Sequence, residues 1–353
     1  YKVSLAYAHT PVSGLADHFV CKLTPPELKP RVVGELLDLF LSEVLFFQKG
    51  LKEATELDAP TCYFAGKASG GRFCLLLEDL APSKVGDQLA GLSIEHARQG
   101  VVQLAKLHSR FRGVVHTHEA TKGWILGLDD EAYYGAGGIV HDTFRKAVPI
   151  VTKERCFGFF GCDPSIVDVD AFRSAAQHVL AHYGGIVQLV MLKNVQRLTP
   201  NSKFKSTLIH GDFRCENIFF DAPTSLGDNA GSLGLRVIDF QLLKENIGGA
   251  ELLYFIGNSL TPDMRREHEG ELLMLYVSEM NKRGAGLELR HLLLEYLAGF
   301  LGYCIMLVIS MKDTNLGSDR AKLLMSKCVE RFWCLYSDWN CAEGLSRLFA
   351  MRP

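Results

Sequence analysis

The chain has 353 residues, of which 48% are hydrophobic and 22% charged, with a net charge of -2. That length allows one large domain or two with a substantial core. The near-neutral balance supplies neither the basic field that nucleic-acid binding needs nor an acidic tail.

Ten cysteines are scattered without CxxC spacing, the closest pairs being Cys156/Cys162 and Cys334/Cys341. They read as reduced thiols of an intracellular, cytoplasmic protein. The sequence starts at Tyr1 inside a strand-like segment, so a native N-terminus, and a targeting segment with it, stay open upstream.

Taken in chain order, "YKVSLAYA" and "HFVCKL" have strand character and are joined by the turn "HTPVSGLAD". "PRVVGELLDLFLSEVLFFQKGL" spaces its apolar residues as one helix, and "TCYFAG" and "RFCLLLEDL" return to strand around the turn "KASGG". "SIEHARQGVVQLAKLHSRF" reads as a helix with Ser93 as N-cap and Glu95 behind it. Residues 122 to 165, rich in glycine and aromatics, resist assignment. Helical patterns return from 168 to 196 and from 263 to 340. The uncharged run Tyr296 to Met311 is shorter than the ~20 residues a bilayer requires and reads as a buried helix, so no membrane is expected.

Between the helical stretches lies "LIHGDFRCENIFF", a polar patch bracketed by apolar runs. "NIFFD" and "LRVID" are short strands separated by the loop "APTSLGDNAGSLG". Antiparallel pairing would set Asn217 beside Asp239, and the preceding turn would bring Asp212 to the same rim. Neighbouring carboxylates call for a counter-charge, and hard oxygen donors without Cys or His suit Mg²⁺. The same residues also suit a polar loop whose Asp and Asn cap turns.

"HGDFRCEN" followed by "IDF" resembles the catalytic loop and metal motif of aminoglycoside phosphotransferases and choline-kinase-like enzymes. With "FVCKL", "LSEVLFFQKGL", "PTCYF", "LLLEDL", "LAKLH" and "VIDFQ" in order, the chain is most similar to the ecdysteroid-kinase-like branch. The resemblance covers residues 1 to about 280. It implies an α+β, bilobal protein-kinase-like fold: a small β-rich lobe over 1–80 and a larger helical lobe over 81–353. It further implies that Lys22 holds the α- and β-phosphates of ATP, that Glu43 pairs with Lys22, and that Glu78, Asp79 and Leu80 form the hinge to adenine. Asp212 would be the catalytic aspartate, with Asn217 and Asp239 binding Mg²⁺. Arg214 is read as reaching the γ-phosphate, His210 as supporting the loop and His108 as structural.

Three features stand out, two that depart from the family pattern and one, Gln241, that fits its small-molecule branch. No glycine-rich phosphate loop precedes "YKVSLAYA", so the first strand and its loop are expected to be missing from the N-terminal lobe as the sequence stands. Glu251 replaces the aspartate of a "DLAYFL"-like helix start, and Gln241 stands where protein kinases carry glycine. The expectation is an ATP- and Mg²⁺-dependent phosphotransferase acting on a small hydroxyl acceptor that is choline-like, aminoglycoside-like or sterol-like. The acceptor would sit between the helical C-terminal region and the Asp212 loop, where the aromatics include Tyr254, Tyr303, Trp333, Tyr336 and Trp339; the cluster "RFWCLYSDW" reads first as core packing of a terminal helix. A homodimer or larger assembly is compatible, and the alternative is an inactive kinase-fold interaction module.

Overall fold

The computed structural model describes residues 2–4, 18–183, 205–221, 234–313 and 318–344. Its N-terminal part is an antiparallel sheet of β1 (Lys2–Ser4), β2 (His18–Leu23), β3 (Cys62–Ala68) and β4 (Arg72–Glu78) in the order β1-β2-β4-β3. The expected "HTPVSGLAD" turn lies outside the described residues. Lys22 stands opposite Leu75. Directly opposed residues of an antiparallel pair share a face, so Lys22 looks the same way as the fully buried Leu75.

The single helix expected after the second strand is three: α1 (Leu28–Leu36), α2 (Leu39–Gln48) and α3 (Leu51–Thr55). The breaks fall at Asp38 (φ 52°) and Gly50 (φ 65°), both left-handed, which ends each helical run. Redirected at Asp38, α2 packs Phe40 and Val44 on Phe73 and Leu75. Glu43, on the same helix, is thereby brought to the Lys22 face.

The rest of the molecule is mostly helical. After β5 (Lys84–Val85) comes α4 (Ile94–Phe111), whose Ser93 cap accepts from the His96 backbone as its sequence suggests. The region that resisted assignment holds α5 (Glu131–Tyr134), α6 (Ile139–Val151) and α7 (Glu154–Phe160). The helix expected over 168–196 is α8 (Val169–Ala181), and its C-terminal portion falls outside the described residues. Four short strands follow: β6 (Thr207–Ile209), β7 (Ile218–Phe220), β8 (Leu235–Val237) and β9 (Lys244–Asn246). They form two small sheets, β5-β7-β8 and β6-β9. β7 and β8 make the expected antiparallel hairpin, whose loop is outside the described residues. The chain then runs through α9 (Gly248–Ser259), α10 (Pro262–Lys282), α11 (Leu289–Asp313) and α12 (Asp319–Asp338).

α9 is buried on nearly every side, as a helix apolar all round should be. Its crossing with α11 is close: a Cβ on Gly249 would stand 2.5 Å from the Glu295 Cβ, and one on Gly299 2.8 Å from the Ala250 Cα. Only glycine permits that approach. By length and composition α11 could cross a bilayer, but 67% of its apolar window is buried against the other helices. All ten cysteines are free, and the sulfurs of Cys21 and Cys74 stand 3.8 Å apart without a bond.

Candidate active site

Three elements far apart in sequence meet at Lys22. Its ammonium lies 2.7 Å from Glu43 Oε2 on α2 and 2.8 Å from Asp239 Oδ1, just past β8. Burial opposes the Lys22 charge, but Glu43 and Asp239 outweigh it and raise its pKa. Burial pushes the Glu43 carboxyl up, against the pull of Lys22. Asp239 adopts φ 70° and ψ 64°, a left-handed conformation that costs a non-glycine residue about 1–2 kcal/mol and is held here by its surroundings. Gln241 donates to Glu43 Oε2 at 3.3 Å, and Ser42 Oγ to the Phe240 carbonyl at 3.2 Å. The rings of Phe46 and Phe240 stack with centroids 3.5 Å apart. α2 is therefore fastened to the segment carrying Asp239 by a charge relay and by a buried aromatic pair.

Above this floor opens a cleft of about 410 Å³, with Val20, Leu77, Phe219 and Ile238 among its apolar walls and the Glu78–Leu80 segment along its edge. Glu78 accepts from the Thr61 backbone at 2.8 Å and so ties β4 to the residue before β3. Asp79 pairs with Lys2 at 3.0 Å and accepts from the Ala81 amide.

The second centre is the loop between β6 and β7. Gly211 turns it at φ +87°, where a Cβ would meet the Leu242 carbonyl oxygen at 2.1 Å. Asp212 accepts from Tyr254 Oη (2.8 Å), Asn217 Nδ2 (2.9 Å) and Arg214 Nε (3.2 Å to each oxygen). Arg214 also donates to Gln88 and Glu216. The guanidinium thus spans three acceptors, on Asp212, Gln88 and Glu216. His210 accepts the Asp212 amide at Nδ1 and donates from Nε2 to the Ile238 carbonyl, a supporting role as expected. The buried Glu251 accepts from the amides of His210 and Gly211 and lies 3.0 Å from His108 Nε2. Glu251 thus secures the catalytic-type loop, and His108, buried between it and Tyr276, is structural.

Register puts Ile218 opposite Val237, and the Ile238 amide bonds the Asn217 carbonyl, so Asn217 lies across from the residue before Asp239. Asn217 spends its amide nitrogen on Asp212, and Asp239 one oxygen on Lys22. Asn217 Oδ1 and Asp239 Oδ2 accept no hydrogen bond among the described residues. Two such hard oxygens suit a Mg²⁺ that completes its octahedron with water and phosphate. No cluster of three or more His, Cys, Asp or Glu able to hold a metal occurs among the described residues.

The Ecdysteroid kinase-like family model matches residues 1–122 and 169–289. The chain belongs to the ecdysteroid kinase-like family. No curated protein matches its sequence significantly. Among solved structures, this family member is similar to the choline kinase of Cryptosporidium parvum, with a TM-score of 0.53 at 9% identity over 95% of this chain and 86% of that one. The choline kinase of Streptococcus pneumoniae follows at 0.48 and 12%, covering 94% and 92%. The aminoglycoside 2'-phosphotransferase-IIIa, solved as a GDP complex, gives 0.48 and 13% over 98% and 93%. The fold is protein-kinase-like.

A second cavity opens beside Gly211 and is lined by Tyr254 and Tyr303. Trp333, Tyr336 and Trp339 pack among the helices, as the core-packing reading of "RFWCLYSDW" has it: Trp333 stacks on Tyr336 and Trp339 leans on Tyr296. The sequence reading passed over Lys244, Tyr134 and Gln88. Lys244 pairs with Ile209 just before the catalytic-type loop, and only the β6-β9 pairing reveals it.

Proposed function

We propose that this protein is an ATP- and Mg²⁺-dependent phosphotransferase that phosphorylates the hydroxyl of a small molecule. The observation that carries the reading is Lys22 held between Glu43 and Asp239 at the floor of the cleft. A flexible lysine stem fixed by two carboxylates is an aimed cation, as phosphate contacts require. Family membership and the small-molecule kinases among the similar structures support the same class.

In this reading the backbone of Glu78, Asp79 and Leu80 bonds the adenine edge while the apolar walls take its faces. Lys22 holds the nucleotide phosphates, Asn217 and Asp239 hold the cation, and the chemistry that the bound group supplies is the phosphoryl group with its charge neutralised. Asp212 aims the acceptor hydroxyl. A carboxylate is too weak a base to ionise an alcohol beforehand, so the proton passes to Asp212 late, as the new O–P bond forms and the bond to the leaving ADP breaks. Arg214 and Tyr254 position Asp212. Ten free thiols support a cytoplasmic setting.

Thermal melts with ATP and Mg²⁺ test this. Ligand at about 100 Kd adds about 2.7 kcal/mol of stability, which should raise the melting temperature of the wild type and not that of Asp239→Ala. A wild type indifferent to ATP and Mg²⁺ would leave an inactive kinase-fold module.

A further inference from the structure

In the register of β2 against β4, Cys21 stands opposite Leu76, Lys22 opposite Leu75 and Leu23 opposite Cys74. Cys21 and Cys74 are therefore diagonal neighbours, placed on either side of the Lys22–Leu75 pair. Alternation along the strands puts both on the sheet face turned away from Lys22. Phe73 and Leu75 on the inner face are buried, whereas Leu23 on the outer face is 43% exposed. Both cysteines are half-buried, so solvent reaches them. Their sulfurs stand 3.8 Å apart, close enough for one thiol to donate to the other. Other cysteines are placed differently. Cys215, Cys304, Cys328 and Cys341 are buried and fill the interior as small hydrophobes. Cys62 on β3 donates to the Phe64 carbonyl at 3.2 Å.

We infer that Cys21 and Cys74 form a reversible dithiol–disulfide site, closed by glutathione disulfide or a related small disulfide and reopened by thiols, that straddles the strand pair carrying Lys22. One thiolate attacks a sulfur of glutathione disulfide and expels one glutathione. The second attacks the protein sulfur of the resulting mixed disulfide and expels the other. The cysteine pair loses two electrons and two protons, and the oxidant is left as two glutathione molecules. A disulfide holds its sulfurs about 2.05 Å apart. Closing from 3.8 Å turns the side chains and draws β2 toward β4, because diagonal residues lie farther apart than directly opposed ones. A link made against the spacing of a hydrogen-bonded sheet, on its solvent side, is of the strained and exposed kind that thiols reopen readily. Its strain falls on the strand that carries Lys22. Burial and the Cys21 sulfur push the Cys74 thiol up, so closure quickens as pH rises.

The site stands apart from the phosphotransferase reading, and its test needs no nucleotide. The full native chain is equilibrated across ratios of glutathione disulfide to glutathione, quenched with acid, alkylated and mapped by mass spectrometry. Oxidation should join the peptides of Cys21 and Cys74, two hydrogen masses below their sum, while Cys215 and Cys304 still take the alkylating reagent. Reduced glutathione added without denaturant should release the link. Closure should run at least about tenfold faster near pH 9 than near pH 7. Cys21→Ser, its fold verified by circular dichroism, should leave a glutathione cap on Cys74 that no second thiol removes. No Cys21–Cys74 peptide at any ratio, a link from Cys74 to Cys62 instead, a link formed only after denaturation, or one that reduced glutathione leaves closed would overturn the inference.

Discussion

Glu251 shows how much a single carboxylate can organise. Both oxygens are used, on two consecutive amides of the Asp212 loop and on His108. Burial works against its charge, yet His108, His210 and the Gly211 amide prevail and hold its pKa below the ordinary 4.5. A carboxyl whose folded pKa is depressed stabilises the fold above its unfolded value and loses that contribution as pH falls through the folded one. Glu251→Gln, which leaves a buried donor unpaired, should therefore cost about 1–3 kcal/mol at neutral pH. The melting-temperature gap to wild type should close below about pH 4.5, and a gap independent of pH would refute the assignment. In the sequence Glu251 was visible only as a charge at a helix start. Its partners lie about 40 residues upstream on the loop and 143 on α4, a separation that no local pattern spans. Asp212, Asn217 and Asp239 were legible because hairpin pairing is a short-range rule. The bond from Arg214 to Gln88 was not legible, because 126 residues separate the two.

Among the elements, α2 shows what periodicity conveys and what it misses. Its apolar spacing and Glu43 were readable, and the structure confirms the pairing with Lys22. The break at Asp38 was not readable from apolar spacing, which runs on through it; the left-handed backbone there redirects α2 so that Phe40 and Val44 reach Phe73 and Leu75. The strongest link from α2 to the helical region is the stack of Phe46 on Phe240, both almost fully buried. Phe46→Ala should lose about 3–5 kcal/mol, read as a fall in the urea midpoint. It should also weaken stabilisation by ATP and Mg²⁺ if the stack steadies Asp239. A variant with wild-type midpoint would show that the ring is not part of the core.

For the whole molecule, the order of motifs foretold sheet first and helices after, and the described residues follow that order. The tightest feature of the helical region, the glycine-mediated crossing of α9 and α11, was hidden because contact between helices depends on which faces meet. That crossing also explains α11: its apolar surface is consumed by neighbours. The protein should accordingly remain in the supernatant after high-speed centrifugation in detergent-free buffer, and recovery only with membranes or detergent would contradict the packing.

The stacked rings that pin α2 carry a wider consequence. Many kinases are silenced by letting the corresponding helix swing outward, parting lysine from glutamate. Here that swing would tear an aromatic pair from the interior, so parting Lys22 from Glu43 would carry the cost of unstacking Phe46 from Phe240.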